Sequence, residues 1–138
     1  MDVPSLVGVI QDLGYDHFID PSFPPNDSSI YDTTNNEPYP LDQVAVWKRP
    51  HEFMYGRPHL FVDNPDPNDI NQGALGNCWF LAAMASLAES PAIVKRLFIN
   101  QEYNEFGVYQ LRICKNGEWV VVTIDDYFPC SLNGGPIF

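Results

Sequence analysis

Hydrophobic and polar residues follow a helical spacing in the middle of the chain and an alternating spacing after it. Residues 78–87 form an alanine-rich, charge-free run that begins after Asn77, a suitable N-cap residue, and predicts a helix that is apolar on nearly all sides. Residues 92–99 place apolar side chains at helical spacing with Lys95 and Arg96 facing outward, which predicts a second, amphipathic helix. We expect the first helix to be central and buried.

The alternating pattern predicts a β-hairpin. Residues 107–114 and 118–125 are rich in β-branched and aromatic side chains, as strands are. The dipeptide Asn116-Gly117 lies between them, and Asn-Gly is typical of a tight hairpin turn. Because the helices precede the strands, the pattern indicates an α+β fold.

The first half of the chain is rich in proline. Most of the thirteen prolines lie before residue 70, which predicts extended segments and turns that pack as ordered coil against the rest. We interpret residues 1–46 as a Pro-rich anchoring segment. Residues 44–50 predict a strand that ends at its proline, and the low hydrophobicity of residues 25–42 predicts a mobile loop.

Composition and charge narrow the function classes. The 138 residues are 45% hydrophobic, which suits one domain with a core. A formal charge of −11 argues against binding to nucleic acid or to an anionic membrane surface, although it is compatible with cation binding or simply with solubility. The chain has no apolar run long enough to span a bilayer and no signal-peptide pattern, so we expect an intracellular, cytoplasmic protein.

The three cysteines are interpreted as free thiols. Cys78, Cys114 and Cys130 are odd in number and lack paired C-x-x-C spacing, which disfavours a disulfide framework and a structural zinc site. Cys78 differs from the others because it lies at the start of a predicted helix, where unpaired N–H groups and the positive dipole end stabilise a thiolate. The alternative is that Cys78 is a small buried hydrophobe beside an ordinary turn.

A second chemical group precedes this cysteine. Gln72 lies across the turn from Cys78, where its amide NH₂ can donate to an oxyanion beside the Cys78 N–H. Gly73 and Gly76 let the intervening backbone turn tightly and approach a ligand closely. The loop therefore indicates acyl transfer by a thiolate.

Five segments together resemble one known family. The sequence QGALGNCWFLAAMASLAESP resembles the active-site segment of the calpain family of cysteine proteases, and the resemblance extends over most of the chain. It implies a papain-like first subdomain and intracellular limited proteolysis, with Cys78 as the nucleophile and Gln72 as the oxyanion donor. The other matching segments are DPSFP at 20–24, WKRP at 47–50, GEWV at 117–120 and IDDYFP at 124–129.

The resemblance also implies a substrate cleft and a metal site. Gly76 and Trp79 would shape the cleft, although Trp79 is equally interpreted as a large core side chain. A calcium site is implied in loop 62–69, whose composition is otherwise normal for a Pro-rich turn. No organic cofactor is implied. The calcium ligands would be the carbonyls of Val62 and Asn64 and the carboxylate of Asp69.

No histidine follows Cys78, whereas the family's histidine and asparagine come from a second subdomain. His17, His51 and His59 all lie upstream of Cys78, and His51 and His59 resemble surface or packing residues. We therefore interpret residues 1–138 as a partial catalytic domain, the nucleophile half, which acts on protein or peptide substrates with a second subdomain and is inactive without it. Two alternatives remain: a non-catalytic, calpain-like interaction or regulatory module, and another papain-like thiol enzyme such as a transferase or amidase.

Overall fold

The computed structural model describes residues 1–30, 46–73 and 76–137, which form four α-helices and four strands. No helix among these residues has the length and apolar character that a membrane span requires. The mixture of helices and strands confirms the α+β prediction. In chain order the elements are α1 (Val3–Asp12), β1 (Val46–Lys48), α2 (Pro50–Phe53), α3 (Cys78–Ala88), α4 (Pro91–Leu97), β2 (Tyr109–Lys115), β3 (Glu118–Ile124) and β4 (Phe128–Cys130).

The predicted hairpin is confirmed. Strands β2 and β3 pair antiparallel, with Tyr109 opposite Ile124 and Lys115 opposite Glu118. The turn residues Asn116 and Gly117 both have positive φ angles, 53° and 84°, as a two-residue turn between right-twisted strands requires. An asparagine and a glycine adopt this conformation at little cost, which explains why this dipeptide marks the turn.

A second antiparallel pair joins the two halves of the chain. Strand β1 pairs with β4, so that Val46 lies opposite Cys130. Lys48 strengthens this junction because its Nζ donates to the carbonyls of Ser131, Leu132 and Gly134 at 3.1 to 3.3 Å. The predicted strand at 44–50 is confirmed over 46–48, while residues 44 and 45 lie outside the described residues.

The N-terminal segment contains a helix that the prediction of coil missed. Asp2 accepts a hydrogen bond from the Ser5 N–H at 3.0 Å and caps α1, whose Ile10 is buried. The signal was present as Val3, Leu6, Val7 and Ile10 at helical spacing after an Asp-x-Pro start. Of the predicted mobile loop at 25–42, residues 27–29 form one turn of 3₁₀ helix, and residues 31–42 lie outside the described residues.

Contacts from the N-terminal segment hold it against the hairpin. The side chain of Gln110 donates to the Met1 carbonyl at 2.9 Å, and the Phe18 N–H donates to the Phe106 carbonyl at 2.7 Å. The Asp20 N–H donates to the Asp125 carboxylate at 2.8 Å. These bonds connect residues about a hundred positions apart in the sequence, so the segment is part of the folded unit.

Arg49 and Asp126 form a buried ion pair. Arg49 Nε and Nη2 donate to the two carboxylate oxygens of Asp126 at 2.6 and 3.2 Å, and Nη2 also donates to the Glu105 carbonyl at 2.7 Å. Burial acts to lower the pKa of Arg49, but the ion pair with Asp126 outweighs it and the net change is upward. The ion pair joins Arg49, which follows β1, to Asp126, which follows β3.

The prediction of a central buried helix is wrong for α3 as it stands in the described structure. Ala88 is its one buried residue, whereas Trp79 is 75% and Phe80 is 49% exposed. Helix α3 packs against α4 and the turn Pro67–Asp69, and these contacts leave the rest of its apolar surface open. The sequence correctly indicated an apolar helix, but an apolar pattern does not say which segment covers it.

Candidate active site

Cys78 is the first residue of α3, and its side chain is exposed. The Asn77 carbonyl accepts hydrogen bonds from the N–H groups of Phe80 and Leu81 at 2.9 and 3.1 Å, which fixes the first turn of the helix. The thiol therefore stands at the positive end of an 11-residue helix and faces solvent. This exposure contradicts the alternative that Cys78 is a small buried hydrophobe.

Asn77 holds the side chain of Gln72 through a hydrogen bond. Asn77 is the N-cap residue of α3, as predicted, but its side chain makes no capping hydrogen bond. Its Oδ1 instead accepts from Gln72 Nε2 at 3.2 Å. The predicted donor amide is thus hydrogen-bonded to the residue immediately before Cys78.

The surface next to Cys78 is open. The indole of Trp79 is largely exposed and lies 5.7 Å, between ring centroids, from the ring of Phe80. This exposure excludes the interpretation of Trp79 as a core side chain. A Cβ atom placed on Gly76 would meet no atom within 4 Å, so the backbone before the helix leaves room for a bound chain.

No histidine is hydrogen-bonded to Cys78 among the residues that the structure describes. His17 Nε2 is 3.0 Å from the Tyr127 hydroxyl, and the two side chains share a hydrogen bond. His51 and His59 are exposed, as expected for surface positions. The described residues thus bring together a thiol and an amide donor without a base.

The three thiols occupy three different environments. All are free, as predicted: Cys78 and Cys114 are exposed, and Cys130 is buried. Burial raises the pKa of the Cys130 thiol, which donates to the Phe128 carbonyl at an Sγ to oxygen distance of 3.4 Å. Cys114 is therefore a control for Cys78. Both thiols are exposed, but Cys114 lies in a strand and Cys78 lies at the start of a helix.

Several polar groups of the acidic loop at 62–69 are hydrogen-bonded to other residues of the same loop. Asp69 Oδ2 accepts from the Asp66 N–H at 2.9 Å, and Asp66 Oδ1 accepts from the Asn68 N–H at 2.8 Å. Lys95 Nζ donates to Asn64 Oδ1 at 2.9 Å. In the described parts of the chain, no three His, Cys, Asp or Glu side chains lie close enough together to hold a metal ion. The side chains do not by themselves form a calcium cage.

Two residues near the site were not singled out for these roles from the sequence. The sequence predicts Asn77 as a cap, whereas the structure shows its side chain bonded to Gln72. Lys95 was assigned to the outer face of α4, and it contacts the loop instead. Contacts of this kind depend on tertiary structure, which spacing within one helix does not show.

Comparisons with known proteins show which family this chain is similar to. Residues 18–138 match the family described as calpain family cysteine protease. The calpain-type cysteine protease DEK1 of Arabidopsis thaliana is 45% identical over 130 residues, 91% of this chain and 6% of the relative. Calpain-13 of Rattus norvegicus is 37% identical over 119 residues, 84% of this chain and 17% of the relative. The chain therefore spans a small fraction of the length of these relatives.

Proposed function

We propose that this chain, which belongs to the calpain family of cysteine proteases, supplies the nucleophile half of an endopeptidase. The proposed endopeptidase is papain-like and calcium-dependent. The observation that carries the proposal is the exposed thiol of Cys78 at the start of α3, next to the Gln72 amide that Asn77 holds. A thiolate and an oxyanion donor on one loop are the two components that acyl transfer needs from this half.

In the proposed reaction, the Cys78 thiolate attacks the carbonyl carbon of a peptide bond. The negative charge that develops on the carbonyl oxygen is stabilised by the Cys78 N–H and by Gln72 Nε2. The C–N bond then breaks, the amine leaves with a proton, and the acyl group stays on sulfur as a thioester until water hydrolyses it. A histidine on a second subdomain takes the thiol proton and returns it to the amine, and an asparagine orients that histidine.

The first test is the relative reactivity of the thiols in the full chain. Because only Cys78 combines exposure with a helix N-terminus, we expect iodoacetamide to modify it about tenfold faster than Cys114 at pH 7, with Cys130 slowest. Mass spectrometry of timed digests gives all three rates in one sample. Equal rates at Cys78 and Cys114 would show that the helix start does not activate the thiol.

Calcium remains part of the proposal, with the carbonyls of Val62 and Asn64 and the carboxylate of Asp69 as ligands. The density of carboxylates in this exposed loop supports it, whereas the Lys95 ammonium at Asn64 opposes a bound cation. We therefore expect Lys95→Met to tighten calcium binding about threefold, measured by calorimetry, and the exposed Arg96→Met to change it less. No calcium binding by either variant up to about 10 mM would exclude the site.

The proposal includes the setting in which the chain acts. Protein or peptide substrates follow from the peptidase assignment. A cytoplasmic location is supported by three unpaired thiols, since a reducing compartment keeps cysteines in this state. No step of the proposed reaction needs an organic cofactor.

One observation favours a second candidate, a non-catalytic interaction or regulatory module of the same family. Among the described residues no histidine is hydrogen-bonded to Cys78, while large apolar side chains such as Trp79 and Phe80 are exposed on the same helix. In this candidate the chain binds a partner without cleaving it. The two candidates differ in whether Cys78 reacts with a peptide once a histidine-bearing segment is supplied, and peptide hydrolysis by such a chimera distinguishes them.

A further inference from the structure

Two asparagines of the chain are followed directly by glycine, and the structure holds them differently. Asn116 lies in the turn between β2 and β3, and Asn133 lies in the turn after β4. Glycine has no Cβ atom, so its main-chain nitrogen approaches the preceding asparagine side chain more easily than that of any other residue. Whether this approach leads to reaction depends on the hydrogen bonds of the glycine N–H and on how firmly the turn is held.

The turn of Asn116 and Gly117 is open. Both residues are exposed, and a Cβ atom placed on Gly117 would meet no atom within 4 Å. Within the described part of the chain, the Gly117 N–H donates to no acceptor. The turn is closed by the pairing of Lys115 with Glu118, which are themselves exposed. Exposed backbone of this kind opens at a small cost in free energy, far below that of global unfolding.

The turn of Asn133 and Gly134 is held from several directions. The Gly134 N–H donates to the Ser131 carbonyl at 3.3 Å, so the nitrogen that would attack Asn133 is already in a hydrogen bond. Lys48 Nζ donates to the Leu132 carbonyl at 3.1 Å and to the Gly134 carbonyl at 3.2 Å, which fixes the peptide groups before and after this pair. A Cβ atom on Gly134 would overlap Ser131 Oγ, so the space beside this glycine is filled.

We propose that Asn116 is a site of spontaneous deamidation, and that Asn133 is protected from the same reaction by its turn and by Lys48. In the reaction the Gly117 nitrogen attacks Asn116 Cγ. The Cγ–Nδ2 bond breaks, and the amide nitrogen leaves as ammonia with the proton that the Gly117 nitrogen gives up. Water then opens the succinimide ring at either carbonyl, which gives aspartate or isoaspartate. The net change consumes water and releases ammonia, without oxidation or reduction.

The two products have different effects on the hairpin. Isoaspartate adds a methylene group to the main chain before Gly117, whereas the two-residue turn requires a fixed loop length and positive φ angles at both positions. Aspartate leaves the main chain unchanged, and Asp-Gly suits the same turn. Both products add a negative charge to a chain whose formal charge is −11. The site uses no residue of the nucleophile loop, so it is independent of the proposed peptidase function.

The test is timed incubation of the full chain at mildly alkaline pH, with the peptides that contain Asn116 and Asn133 separated by chromatography and identified by mass spectrometry. In the folded chain we expect Asn116 to react at least about tenfold faster than Asn133. In urea that unfolds the chain, the two rates should agree within about twofold, because neither turn is then held. The isoaspartate fraction of an aged sample should unfold at a lower urea concentration than the aspartate fraction.

Two variants and a matched control assign the effect to the two turns. Asn116→Gly removes the reactive side chain and keeps a turn that Gly-Gly suits, so its aged sample should unfold like its fresh one. Lys48→Ala should speed the reaction of Asn133 at least about threefold and leave Asn116 unchanged. Lys95→Ala removes a lysine from α4 and should alter neither rate. Circular dichroism confirms that each variant is folded, and the comparison with urea tests the protection without any variant.

Three results would overturn the proposal. Equal rates at Asn116 and Asn133 in the folded chain would mean that the structure does not select between them. A difference that persists in urea would assign the selection to neighbouring residues in the sequence. An unchanged rate at Asn133 in a folded Lys48→Ala variant would remove the protection assigned to Lys48. The iodoacetamide rate at Cys78 should be the same in Asn116→Gly and in the unmodified chain, so failure here is separate from failure of the peptidase proposal.

Discussion

Replacing Asp126 with asparagine is expected to lower the free energy of unfolding by about 3 to 5 kcal/mol. Asparagine has nearly the same shape, but it leaves Arg49, which is 7% exposed, without its anionic partner in a buried site. The guanidinium keeps a bond to the Glu105 carbonyl, which does not neutralise its charge. Urea unfolding followed by fluorescence measures the difference.

Glu102→Gln, an exposed neutralisation, is the control and should change stability by less than about 0.5 kcal/mol. Joint replacement by Arg49→Met and Asp126→Leu should recover most of the loss, because an apolar pair leaves no buried charge unpaired. A loss below about 1 kcal/mol for Asp126→Asn would mean that water reaches the pair and that it does not hold the two halves together.

Gly107 lies against the ion pair of Arg49 and Asp126. Its φ is +63°, and a Cβ atom there would overlap Asp126 Oδ1 and lie 2.6 Å from Arg49 Nη2. An alanine would therefore combine backbone strain with displacement of the ion pair, which explains why the chain has glycine at this position.

Replacing Cys78 with serine is expected to have the largest effect on function. In a chimera whose histidine-bearing segment follows Phe138, the substitution should reduce peptide-bond hydrolysis at least about a thousandfold. A serine hydroxyl is far harder to ionise than a thiol, so the helix N-terminus and Gln72 have no anion to assist. The rate of release of a fluorescent group from a peptide measures this effect. Cys114→Ser, on an exposed strand, is the matched control and should retain full activity.

Local patterns predicted the elements well. The alanine-rich apolar run after Asn77 predicts α3, and the Asn116-Gly117 dipeptide predicts the hairpin, because both features depend on interactions between close neighbours in the sequence. The prolines of the first half predict coil, and this prediction is wrong over α1. Its cap at Asp2 and its apolar spacing were local signals of equal weight.

What the sequence did not predict depends on contacts between distant residues. The pairing of Arg49 with Asp126 joins residues 77 positions apart, and the Lys95 bond to Asn64 joins residues 31 positions apart. The sequence predicts that α3 is buried, and this prediction is wrong. Its apolar character indicates a surface that is suited to burial, but it does not identify the segment that covers that surface. For the site, the motif identified Cys78 and Gln72, and the structure added Asn77 as the residue that orients the amide.

The most direct measurement of the central claim is hydrolysis by the chimera in which this chain is joined, after Phe138, to the segment that follows the matched region in the Arabidopsis relative. We expect no turnover by the chain without that segment, turnover by the chimera, loss of turnover in Cys78→Ser, and a marked decrease in Gln72→Ala. A peptide electrophile should then label the chimera at Cys78. A chimera that is folded by circular dichroism, yet neither hydrolyses peptides nor is labelled at Cys78, would contradict the peptidase account and support the non-catalytic module.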